Sequence, residues 1–223
     1  MLIANTVLVA VMTGISVWAA QTIPEGAQVP VHWNLNGEPD GVASKAEALL
    51  FMPTIALLST ALMWLLPKID PRRANMAASG KFWNAVSIAV VAFLAYVHGL
   101  VLLNASGRQL EIPDYLLPAL ALMMVVIGNY LSKTRSNWFG GVRTPWTMSS
   151  DYAWDRTHRW AGRLFVASGA AGIAAWMIAD SRTAFFVLTL AVLASSLVSV
   201  ALSYVFWKAD PTRSRDAQAN GGA

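Results

Sequence analysis

The sequence predicts an all-α fold, a polytopic membrane bundle of six spanning helices with both termini inside. Three observations predict it. Hydrophobic residues make up 56% of the chain and charged residues only 13%, against about 25% charged in an average soluble domain. Six apolar runs are each close to the ~20 residues that cross a ~30 Å hydrocarbon core at 1.5 Å per residue. The basic residues gather in alternate connections, the asymmetry that cytoplasmic loops show. The mean hydropathy is +0.50, and the net charge of +4 follows from this loop bias. No basic face for nucleic acid is indicated, so direct nucleic-acid binding is not expected. Cysteine is absent, which excludes disulfides and thiol chemistry.

The first run, residues 2–20, has no charged side chain. A signal peptide would begin with a basic region, so this run reads as a retained span. Asn5, Thr6, Thr13 and Ser16 either hydrogen-bond within the bundle or pack with their backbone satisfied. Residues 21–47 form a loop dense in turn formers, including Asn36-Gly37 and Pro39-Asp40-Gly41. Glu25, Glu38, Asp40 and Glu47 outnumber Lys45, which places the loop outside. Ser44 and Glu47 have capping-box spacing for the next helix.

The second span, 48–66, carries Pro53 two turns in, and Pro67 helps to end it. The basic connection 68–81 is internal, and its Asp70-Pro71 reads as an N-cap followed by a first-turn proline. The third span, 82–104, has Trp83 near its inner end and His98 towards its outer end. An ionisable group in a span is a functional candidate by default, and a hydrogen-bonded structural histidine is the plainer reading. A short external loop, 105–114, leads to the fourth span, 115–131, begun at Pro113. Gly128-Asn129 near its inner end permits close helix contact.

Residues 133–163 form the longest polar interval, with Lys133, Arg135, Arg143, Arg156, Arg159 and Arg163 against Asp151 and Asp155. Residues 137–147 read as an ordered but irregular loop. Ser149 or Ser150 can cap a helix from Asp151, whose arginines and tryptophans suit the inner membrane surface before the chain turns into the fifth span. That span, 164–179, is rich in Ala, Gly and Ser for close packing. A tight turn at 180–183, capped by Ser181 or Thr183, precedes the sixth span, 184–207. The division is thus an N-terminal half of four spans (1–131), a motif loop with two spans (132–207) and a disordered cytoplasmic tail (208–223). Of the 16 Lys and Arg residues, all but Lys45, Arg108 and Arg182 fall inside.

The stretch NWFGGVRTPWTMSSDYAWDRTHRWAG resembles the signature of the SdpI family of bacterial membrane proteins through Asn137, Gly141, Arg143, Thr144, Pro145, Trp154, Thr157, His158 and Gly162. The loop PVHWNLNGEPDG is similar to the domain of unknown function common in the N-terminal half of that family, matching at Pro30, His32, Asn34, Gly37, Pro39, Asp40 and Gly41. The resemblance implies an immunity or sensing protein of the bacterial cytoplasmic membrane. Its expected partners are the lipid bilayer, an extracellular peptide toxin and a cytoplasmic transcriptional repressor. His32, Asn34, Gly37, Glu38 and Asp40 are then candidates for external recognition; from the residues alone they form either a structural loop held by turns and side-chain hydrogen bonds or a ligand-recognition surface or metal site.

No Walker loop, GxSxG elbow, HExxH or dinucleotide fingerprint is present, so no catalytic residue and no cofactor are expected. Two other classes stay open. A permeation path would be lined by Asn5, His98 or Asn129, although span centres lack the carboxylates of proton-coupled transport. A metalloenzyme would use His32, Glu38, Asp40 and His98, a set without a recognised ligand spacing. Arg143 and His158 suit a cytoplasmic anion or partner site, or else Arg143 bonds loop carbonyls and His158 stacks on Trp154 one turn away.

Overall fold

The computed structural model describes residues 1–34 and 36–213. The helices are α1 (Leu2–Thr22), α2 (Lys45–Ile69), α3 (Arg73–Ala78), α4 (Gly80–Ala105), α5 (Ile112–Leu131), α6 (Pro145–Ser149), α7 (Asp151–Ile178) and α8 (Ser181–Lys208). Six of them, all but α3 and α6, are long and apolar enough to cross a membrane. Their outer surfaces carry large apolar side chains, such as Ile3 at 85% and Leu197 at 72% exposure, as lipid-facing surfaces do. The chain is an all-α, multi-pass membrane bundle.

Helices α1, α2 and α4 pack on one another, α5 packs along α7, and α7 along α8; α4 against α5 joins the two groups. The first group closes on Met12, Ala56 and Val91. Beside them fully buried Asn5 donates to Ser87 Oγ (2.8 Å) and Thr60 Oγ1 (3.2 Å). In lipid such a bond replaces an unsatisfied polar group, so it fixes which helix faces meet.

The expected turn-rich loop holds a hairpin. Strands β1 (Gln28–Trp33) and β2 (Pro39–Ser44) pair antiparallel with irregular register at His32. Asn34 organises its turn: Oδ1 accepts from Asn36 N–H (2.8 Å) and Glu38 N–H (3.1 Å), while Nδ2 donates to Glu38 Oε2. Val29 anchors the hairpin, buried with Ala19, Ile23, Ala48, Val101 and Leu102 at the ends of α1, α2 and α4. The Ser44–Glu47 capping box starts α2 as its spacing predicts.

Four local expectations are corrected. Asp70 does not cap a helix that follows; it closes α2 and accepts from Arg72 N–H (2.6 Å) and Trp138 N–H (2.9 Å). The arginine-rich helix does not turn into the fifth span, because α7 is one 28-residue helix. No proline interrupts it, so nothing frees the backbone bonds that a turn would need. The cap of α8 is Asp180, which accepts from Thr183 N–H (2.8 Å) and hydroxyl, bonds that hold its carboxyl below the usual range. The tail expected to be disordered from 208 begins folded: Asp210 is buried and bonds Ser150. Residues 214–223 lie outside the described residues.

Candidate functional site

The motif loop, residues 132–150, lies at the end of the bundle that also holds α3, the starts of α4 and α7 and the close of α8. Asn137 is its centre. The amide nitrogen donates to Arg135 O (2.8 Å) and Gly140 O (3.2 Å), and Oδ1 accepts from Phe139 N–H (2.9 Å) and Gly140 N–H (2.8 Å). All four capacities of the amide are used, and the residue has no exposed surface.

His158 locks the next segment. Its Nδ1 donates to Trp154 O (2.8 Å) and Nε2 accepts from Val142 N–H (2.9 Å), an arrangement only the neutral ring can make. The ring stacks on Trp154 with centroids 4.1 Å apart, as the one-turn spacing predicts. Trp154 Nε1 donates to Thr134 O and Oγ1, both at 3.2 Å. Gly141 lies against this histidine with φ of +104°, a conformation L side chains rarely adopt. Thr144 caps α6 in a reciprocal box with Thr147, Pro145 takes the first turn, and Thr144 Oγ1 reaches Ser203 Oγ at 3.0 Å. Thr157 is fully buried, and its hydroxyl has no hydrogen-bond partner among the described residues. Gly162 meets Gly128 across α5 and α7: a Cβ at Gly162 would lie 2.6 Å from Gly128 O.

Eight of the nine motif candidates are therefore fixed within the loop or the helix contacts. Arg143 differs in carrying an exposed charged side chain, which donates to Trp138 O. With exposed Trp138 it forms the accessible rim of the loop. Sequence reasoning missed the strut beneath this rim. Arg72 donates to Ser136 Oγ and Met148 O (2.9 Å), Asn75 to Ser136 O (2.8 Å), and Asp70 accepts from Trp138 N–H. The signal was a lone carboxylate, Asp70, in a basic connection, which local spacing assigned to a cap.

The loop candidates stand at the opposite end of the bundle. His32 Nδ1 and Asp40 Oδ1 pair across the hairpin at 2.5 Å, exposed to solvent. Glu38 is engaged by Asn34, and Gly37 lies beside Pro113 of α5. His98 is fully buried with Nε2 2.9 Å from Ser16 Oγ, and does not join them. Among the described residues no group of three or more His, Asp or Glu is placed to hold a metal ion. Asn5 and His98 have no exposed surface, so neither lines a path open to water. Beneath the hairpin a cleft of about 230 Å³ is walled by Trp33, Val97, Leu100, Ile112, Leu117 and Phe185, with His32 and Arg182 among its polar groups.

Residues 133–205 match the SdpI/YfhL protein family. The C-terminal part of the chain is an SdpI-family region. It begins at Lys133 and takes in the motif loop, α6, α7 and most of α8, so the Asn137 and His158 networks fall wholly inside it. Residues 7–57 match a domain of unknown function (DUF1648), which contains the hairpin. The chain is also similar to the immunity protein SdpI of Bacillus subtilis (strain 168), 22% identical over 188 residues, covering 84% of this chain and 86% of that protein. No solved structure matches.

Proposed function

We propose that this chain is an immunity protein of a bacterial cytoplasmic membrane, protecting the cell that carries it from an extracellular antimicrobial peptide. One observation carries the reading: the similarity to the immunity protein SdpI runs through 84% of the chain and so takes in both ends of the bundle. The role is recognition and signalling, without catalysis.

Both termini lie in the cytoplasm. Lys45, Arg108 and Arg182 are the cationic residues of the hairpin end, and the other described Lys and Arg residues stand at the motif-loop end. The hairpin then faces outwards. Its exposed His32, Glu38 and Asp40, above the cleft walled by Trp33 and Phe185, form the peptide-recognising end. Arg143 and Trp138 face the cytoplasm, where a transcriptional repressor would dock.

The test is expression in a bacterium sensitive to membrane-active peptides. Survival at a peptide concentration that kills vector-only cells is the expected result for at least one of a panel. Equal killing by every peptide sinks the immunity reading. A His32→Ala/Asp40→Ala variant, present at normal membrane levels, should lose protection if the hairpin is the recognising end.

A further inference from the structure

We propose that the junction of α4, α5 and α7, at the motif-loop end, binds the headgroup and one acyl chain of an anionic phospholipid. This does not depend on the immunity reading. Two clefts meet there. One, of about 760 Å³, is lined by Lys81, Lys133, Arg135 and Arg159, with Asp155 as its carboxylate. The other, of about 460 Å³, shares Ser132 and Arg159 with the first and continues past Arg163 to Gly128, Val166 and Ala167.

The first cleft has surplus positive charge. Asp155 pairs with Arg135 at 2.8 Å and reaches Arg159 at 4.0 Å. Lys81 and Lys133 form no ion pair among the described residues. Lys81 also stands in the first turn of α4, where the helix dipole adds partial positive charge. Basic pockets between spanning helices attract phosphate headgroups in this way.

The second cleft has the complementary chemistry. Gly128 and Gly162 bring the two backbones together, and both line the crevice that runs beside the contact. Along α7 it passes from Arg163 to Val166 and Ala167, one turn deeper. Arg163 lies over the Trp160 ring at 5.3 Å, the kind of cation and aromatic pair found at headgroup level. A free phosphate would use the first cleft alone; a phospholipid uses both.

The experiment titrates delipidated full-length protein in neutral detergent with phosphatidylglycerol or phosphatidylcholine of the same acyl chains, read by native mass spectrometry. Phosphatidylglycerol is expected to bind at least about tenfold more tightly. A lysine near an anionic surface contributes roughly fivefold, so Lys81→Gln/Lys133→Gln should lose about 25-fold. Lys208→Gln, outside both clefts, should keep wild-type binding. Ala167→Trp, which fills the crevice, should weaken lipid binding and leave inorganic phosphate binding unchanged. Retained preference in the double-lysine variant overturns the site. Inorganic phosphate competing as well as phosphatidylglycerol assigns the cleft to a soluble anion and overturns the lipid. Thermal unfolding of each variant at the wild-type midpoint separates lost binding from lost fold.

Discussion

Asn137 organises the motif loop because its amide replaces a turn of backbone hydrogen bonding within 137–140. Asn137→Ala leaves two carbonyls and two N–H groups to find other partners. Each buried group left unsatisfied costs about 1–3 kcal/mol, so the variant should lose at least about 2 kcal/mol in denaturant unfolding in micelles. Gly141→Ala should be at least as damaging. It adds left-handed strain of about 1–3 kcal/mol, and its Cβ would lie 2.9 Å from His158 Cδ2. The expected loss is about 2–5 kcal/mol by the same method; a wild-type unfolding midpoint would refute the account of this contact. The stacking of His158 on Trp154 was legible from a one-turn interval. Its acceptance of Val142 N–H was not, since a 16-residue separation has no local periodicity.

At the scale of elements, glycines of one chemistry have opposite meanings. Gly162 and Gly128 hold α7 against α5, whereas a Cβ at Gly14 of α1 would meet nothing within 4 Å. Gly162→Leu should therefore force the helices apart and lower stability by about 1–3 kcal/mol. Gly14→Ala should be neutral or raise stability by up to about 1 kcal/mol, because alanine stiffens the helix without a clash. Unfolding of both variants in one detergent checks the opposite signs. The hairpin was half legible. Asn36-Gly37 marks its turn, but β2 contains Pro39, Asp40 and Gly41, poor strand formers. Those residues are in a strand because β1 pairs with them while Val29 is anchored among the helix ends.

For the whole molecule, the proposed orientation makes a prediction that the absence of native cysteine renders clean. A Glu38→Cys variant should react with a membrane-impermeant maleimide on intact cells, and an Arg143→Cys variant only after lysis. Reversed labelling would invert every assignment of sides. The class of fold was legible because the bilayer imposes a length and a polarity on each span, and both are properties of a continuous run of residues. Span number and the caps at Ser44 and Ser150 follow from such local rules, whereas the caps expected at Asp70 and at Ser181 or Thr183 did not form.

The sequence by itself determined a six-span bundle with two polar ends and the identity of the residues that mark its motif. Tertiary structure alone decided that most of those residues are structural, that Arg72 and Asp70 brace the motif loop from a distant connection, and that α5 packs along α7. The physical reason is the range of the interactions. Burial in lipid and helix capping depend on neighbours in the chain, whereas the bonds that close this loop join groups 61–76 residues apart.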